Sequence, residues 1–236
     1  MHNTVSIMQP YFLPYLGYWQ LINLSDIFVI YDDIEFTKKG WINRNNYLIN
    51  GKKTLFTLPL KKDSDFLSVN ERFISEEFKK SKVKILNQFS SSYKKSEYFD
   101  ESFFLFKKIL DNEDLNLFNF IRSSIIEILS YLDIKTEIKI SSSIGEYSEI
   151  KGKEKVLDIC KELRASKYVN PIGGLELYSQ EDFAKKKIDL NFHKIDKIEY
   201  RQIMVNDFEP NLSIIDVIAM NGKERTIELL DSYSLI

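Results

Sequence analysis

The chain is predicted to fold as an α/β protein with a mainly parallel sheet, and three observations carry that prediction. Its opening reads strand, short helix, strand within about thirty residues, the pattern of a βαβ unit. "DIFVIY", residues 26–31, is a nearly unbroken apolar run, as expected of a strand buried on both faces. After a helical middle, the alternation of strand and helix resumes towards the C-terminus.

Taken in order, Thr4–Met8 is a short apolar strand, and Pro10 and Pro14 punctuate the loop after it. Tyr15–Leu24 is expected to be a helix and Asp26–Tyr31 the second strand. Trp41–Ile49 and Lys53–Leu60 bracket Asn50-Gly51, a pair suited to a tight hairpin turn. From Ser75 the character changes. A helix is expected to run from the Ser75-Glu76-Glu77-Phe78 start to about Tyr93, followed by helices over Glu101–Leu110 and Asp114–Leu132. The last of these carries Leu115, Phe118, Ile121, Ile125, Ile128 and Leu132 as one apolar stripe. Residues 75–132 therefore read as a mainly helical insertion or subdomain in a single α/β domain spanning 1–236. Strand Glu137–Ile140, helix Lys153–Leu163, strand Lys167–Val169, helix Gln180–Lys186 and strand Asp189–His193 follow. A final helix starts at Ser213 and is expected to end at Asn221-Gly222.

Composition narrows the function. The 33 basic and 35 acidic residues leave a net charge of −2 and are mixed along the chain, which argues against DNA or RNA as the main partner. The lysine clusters Lys79–Lys84 and Lys185–Lys187 read as solvated helix faces. Cys160 stands alone in an apolar helical pattern, which excludes a disulfide or cysteine metal site and points to a buried structural thiol. His2 and His193 lie too far apart in sequence to suggest zinc, so no metal site is expected, and His193 reads as a structural strand residue. There is no leader-like start and no apolar run near ~18 residues, so a cytoplasmic protein without a membrane span is expected.

Parallel α/β sheets bind ligands beyond the carboxyl ends of their strands. That rule selects three stretches. The first is the opening loop of "MQPYFLPYLGYWQLI", with Gln9, Tyr11 and Tyr15 as a lip beside otherwise core residues. The second is "YDDIEFTKKGWINRNN", where Asp32 and Asp33 end a buried strand and Lys39, Trp41, Asn43, Arg44, Asn45 and Asn46 follow. Arg44 is suited to grip a phosphate or carboxylate, and either aspartate to orient or deprotonate an amine. The same residues also suit a structural task, with Asp33 capping a turn and Arg44 in an ion pair. The third stretch is "YVNPIGGLELY", where Asn170, Gly173, Gly174 and Tyr178 surround a paired glycine that lets backbone N–H groups approach a ligand, or that simply makes a turn. Neither nucleotide-binding glycine fingerprint is present, nor is a serine nucleophile elbow.

These stretches, together with "YRQ" at Tyr200–Gln202 and "FEPNLSIIDVIAMNG" near the end, resemble the WbqC-like proteins of bacterial O-antigen and polysaccharide gene clusters. The match runs in order through nearly the whole chain. The resemblance implies amide formation, by glycyl or other acyl transfer, on the amino group of a nucleotide-linked amino sugar in O-antigen and lipopolysaccharide biosynthesis. Asp32, Asp33 and Arg44 would be catalytic. Gln9, Tyr11, Tyr15, Lys39, Trp41, Asn43, Asn45, Asn170, Gly173, Gly174, Tyr178 and Gln202 would bind substrate. No cofactor is named by it, and the acyl donor stays open among a carrier thioester, an aminoacyl-tRNA, a coenzyme A ester and an ATP-derived adenylate. One departure stands out. The family pattern has a histidine before a Y-x-K-x-x-Y-F segment; here "YKKSEYF" is present at 93–99 but no histidine lies between His2 and His193.

A second likeness concerns layout. "PYLGYWQLINLSDIFVIY" resembles the start of the HIGH-motif nucleotidyltransferases, with Tyr15 and Tyr18 in the histidine positions around Gly17. Tyrosines carry no positive charge at neutral pH, so adenylyl transfer is not implied with it. Two competing readings remain: an ATP-dependent amide ligase, and a non-catalytic sugar- or carrier-binding protein of polysaccharide assembly.

Overall fold

The computed structural model describes residues 3–147, 150 and 152–236; His2 lies outside them. Its main sheet has six strands in the order β5-β2-β1-β6-β7-β8. They are β1 (Asn3–Met8), β2 (Ile27–Ile30), β5 (Glu137–Ile140), β6 (Ala165–Pro171), β7 (Asp189–Ile195) and β8 (Tyr233–Leu235). Every pairing is parallel except β7 with β8. The α/β expectation is met. The edge strand β8, three residues at the C-terminus, is too short to announce itself by periodicity.

Side chains alternate across the sheet, and both faces are covered. Val5 and Ile7 of β1 and Ile27 and Val29 of β2 join a core with α5 (Gly152–Glu162) and α6 (Gln180–Ala184). Phe28 and Ile30 point the other way, into the larger core. That double burial is why β2 reads as an unbroken apolar run. The larger core holds α1 (Leu16–Asn23), α7 (Ile214–Leu229), and three middle helices, α2 (Phe78–Tyr93), α3 (Phe99–Leu110) and α4 (Leu117–Tyr131). Phe89, Phe106 and Phe120 from those helices enter the same cluster as Phe12 and Phe28.

A hairpin of β3 (Arg44–Ile49) and β4 (Lys52–Thr57) forms the second sheet. Ile49 pairs with Lys52 across Asn50 and Gly51, whose φ angles of 50° and 71° suit a two-residue hairpin turn. The first strand is shorter than its sequence suggests: residues 41–43 are a turn, and pairing starts at Arg44.

The last helix is a second correction. Asn221-Gly222 does not end α7 but kinks it, and the helix resumes to Leu229. Gly222 takes φ 68° and ψ −174°, and a Cβ there would lie 2.5 Å from the Tyr98 ring. The glycine serves close packing against α3's approach, and Thr226 keeps the chain helical beyond it by bonding the Gly222 carbonyl.

Candidate functional site

The strand order reverses at β1, which neighbours β2 on one side and β6 on the other. Where the order of a parallel sheet reverses, the loops at the carboxyl ends diverge and leave a crevice. Such a crevice, of about 1140 Å³, opens there beyond Met8, Tyr31 and Asn170. Its walls are the first turns of α5, the loop carrying Phe66 and Ser68, and a 3-10 turn at Ile172–Gly174.

On its floor lies one ion pair. Lys155 Nζ is 2.8 and 2.7 Å from the two carboxylate oxygens of Asp33, and Lys155 is only 7% exposed. The ammonium also lies 5.0 Å from the Tyr31 ring centroid and 5.5 Å from that of Tyr147. Desolvating a lysine is unfavourable, and the carboxylate and two aromatic faces offset that cost. Burial pushes the Tyr31 phenol well above its ordinary range, with Tyr178 and other neighbours adding to it. Burial also raises the Tyr147 phenol, whose hydroxyl is enclosed without a hydrogen-bond partner.

The adjacent aspartates have separate tasks. Asp32 accepts hydrogen bonds from the Ser142 N–H and hydroxyl and from the Asn70 amide. Ser141 Oγ lies 2.9 Å from Asp32 and 2.7 Å from Asp33, with one proton to share between them. Burial pushes the Asp32 carboxyl up, but the bonds from Ser142, Ser141 and Asn70 outweigh it and hold the group below the usual carboxylate range. Asp32 thereby locks the β2 and β5 loops together. Asp33 alone of the two lines the crevice.

Seven of the residues selected from sequence line this space: Gln9, Tyr11, Asp33, Asn170, Gly173, Gly174 and Tyr178. Tyr11 donates to Gln9 Oε1, and Tyr168 to Asn170 Oδ1. A Cβ on Gly174 would lie 1.9 Å from the Asn170 amide nitrogen, whereas one on Gly173 would meet nothing within 4 Å.

The others lie elsewhere, mostly at the joint between opening loop and hairpin. Asn45 donates to the carbonyls of Phe12 and Leu13, Asn43 to Leu58, and Arg44 Nε to Gly40. Lys39 and Trp41 sit exposed in the preceding turn, and Tyr15 stands just before α1 with no side-chain bond to its first turn. Gln202 clasps the backbone of Glu209 through both ends of its amide.

Sequence reading passed over Lys155. Its signal was present: in α5 it falls on the same phase as Val156, Ile159 and Cys160, all buried. Cys160 itself is fully enclosed, and burial pushes its thiol up to about 12, as befits a structural residue. Among the described residues no cluster suited to a metal ion occurs, and no helix is long and apolar enough to cross a membrane.

Comparison with known proteins agrees with the sequence resemblance. The family model described as "WbqC-like protein family" matches residues 9–228. The chain is 28% identical over 225 residues to "Uncharacterized protein Rv1507c" of Mycobacterium tuberculosis (strain ATCC 25618 / H37Rv), covering 93% of this chain and 94% of that one. No solved structure matches it.

Proposed function

The chain belongs to the WbqC-like protein family, and from that premise we propose that it is a transferase forming an amide on the amino group of a nucleotide-linked amino sugar, in bacterial surface-polysaccharide biosynthesis. The observation that carries this reading is the Lys155–Asp33 pair on the floor of a crevice large enough for a sugar. Amide formation needs a group to take a proton from the amine and groups to hold the oxyanion that develops on the acyl carbonyl.

In this reading Asp33 takes up one proton of the incoming amine as the nitrogen attacks. The nitrogen attacks the acyl carbonyl carbon, and the carbonyl oxygen takes the negative charge. Lys155 and the backbone N–H groups of Gly173 and Gly174 stabilise that oxyanion. As the tetrahedral species collapses, the bond to the donor's leaving group breaks, and the leaving group takes up the proton held by Asp33. Asp32 positions Asp33 through the shared Ser141 hydroxyl. Arg44 has no part in this scheme, because it does not line the crevice and its Nε is bonded to the Gly40 carbonyl on the hairpin side.

The test is to incubate the protein with nucleotide-linked amino sugars and glycyl or acyl donors of each class, reading amide product by mass spectrometry. Asp33→Asn should abolish the product. Amide formed only with ATP, with release of AMP or ADP, would move the reading to a ligase. Absence of product with every donor would leave a binding protein.

A further inference from the structure

Two lips of the crevice are apolar and bare. Phe66 and Leu177 both line it, yet they are 85% and 67% exposed, so neither is covered in this arrangement. Phe66 belongs to the β2 side. There the Val69 N–H bonds the Ile34 carbonyl, and the Phe36 N–H the Leu67 carbonyl, a few residues beyond that strand. Leu177 follows the 3-10 turn after β6, with its N–H bonded to the Gly174 carbonyl. Only β1 lies between β2 and β6, so the two lips rise from strands about 10 Å apart.

The segment bearing Phe66 is held at its ends and loose between them. The Lys61 N–H bonds the Phe73 carbonyl at one end, and the Leu67 carbonyl accepts from Phe36 at the other. Among the described residues, one hydrogen bond reaches the backbone of 62–66 from outside the loop, donated by Arg72 to the Ser64 carbonyl. Arg72 is itself buried, with the Phe36 ring under its guanidinium. The other tie is the Lys38–Asp65 pair, whose side chains are 67% and 59% exposed and which therefore stabilises little.

We infer that residues 62–66 form a flap that swings over the crevice and seals it by seating Phe66 against Leu177. Closure takes two large apolar side chains out of water, which offsets the loss of one exposed ion pair. A short bight pinned at both ends can move its apex several ångströms, and the two side chains span what remains. The free protein samples the closed arrangement, and a bound substrate adds its own contacts to it. The use of closure rests on the amide-forming reading: an activated acyl group in an open crevice is lost to water, and a seal over Asp33 and Lys155 reserves it for the amine.

Phe66→Cys combined with Leu177→Cys tests closure without substrate. Cys160, the one native cysteine, is fully enclosed and does not compete. Under a mild oxidant the pair should form an intramolecular disulfide, because closure brings the two backbones within the roughly 7 Å that such a bond requires. It should form at least about tenfold faster than in Phe66→Cys combined with Phe104→Cys, an exposed position on α3. No disulfide, or equal rates, would overturn the inference. Phe66→Ala should leave the thermal midpoint unchanged and, in the amide-forming assay, raise the share of acyl donor lost to hydrolysis about tenfold, with Phe66→Leu restoring it. An unchanged share would also overturn the seal. A flap that closes on a protein forming no amide would sink the transferase reading alone; amide formation without the cross-link would sink this inference alone.

Discussion

Two clusters of tyrosines around a carboxylate occupy opposite cores of this molecule. At the carboxyl edge of the sheet, Asp33 meets Lys155 beside Tyr31 and Tyr147, and the cluster opens on a crevice. In the larger core, Asp216 of α7 accepts from the hydroxyls of Tyr93 and Tyr200, and Tyr93 in turn receives the Leu48 N–H. Burial pushes the Asp216 carboxyl up to about 6, although both tyrosine bonds act to lower it. A perturbed carboxylate of this kind is often a mark of catalysis. Here Asp216 is fully enclosed and its partners are satisfied, so it ties α7, α2, β3 and the Tyr200 loop together. Access, rather than a shifted titration, separates the cluster that opens on a crevice from the one that holds the fold.

Substitution should break the two clusters differently. Lys155→Met should lower amide formation by about 10²–10³-fold, while the thermal midpoint moves little, since Asp33 is partly exposed and keeps the Ser141 hydroxyl. Should Lys155→Met unfold the chain, the crevice pair would be structural too and the contrast would fail. Asp216→Ala should do the reverse. It strands two buried hydroxyls, so a loss of about 2–4 kcal/mol, or roughly 5–15 °C in midpoint, is expected with turnover kept at low temperature.

Acid titration sharpens the same contrast with a second buried group. His193, 4% exposed and bonded to Gln20, is pulled down to about 4 by burial. Its contribution is complete above its ordinary value of 6.5 and is lost as pH falls towards 4. Asp216 runs the other way: its raised value gives stability that is complete below 3.8 and is lost as pH rises through about 6. Each effect is worth about 3 kcal/mol, so the two oppose each other between them. Chemical denaturation across this range should show Asp216→Asn losing stability on acidification more steeply than the parent chain, and His193→Gln less steeply.

The smallest effects are a pair of identical changes. Gly222→Ala forces a left-handed residue into the Tyr98 ring and should cost about 1–3 kcal/mol. Gly173→Ala, with open space around its Cβ, should change stability by less than about 0.5 kcal/mol. Any larger thermal shift for Gly173→Ala would mean that the crevice turn bears on the fold as well.

The sequence by itself determined most of the elements, though not β8 or the continuation of α7 beyond Gly222. Strand burial on both faces, the Asn50-Gly51 turn and the apolar stripe of α4 depend on neighbours a few residues away, so local periodicity and turn chemistry reveal them. The site is another matter. Lys155 and Asp33 stand 122 residues apart, and only the order β5-β2-β1-β6 brings α5 over the end of β2. Asn43, Arg44 and Asn45 look like ligand-binding residues by type, yet the fold engages them with backbone carbonyls, those of Leu58, Gly40, and Phe12 and Leu13. Which polar groups remain for a ligand is what is left after the chain has satisfied its own, and that remainder exists only once the whole sheet has assembled.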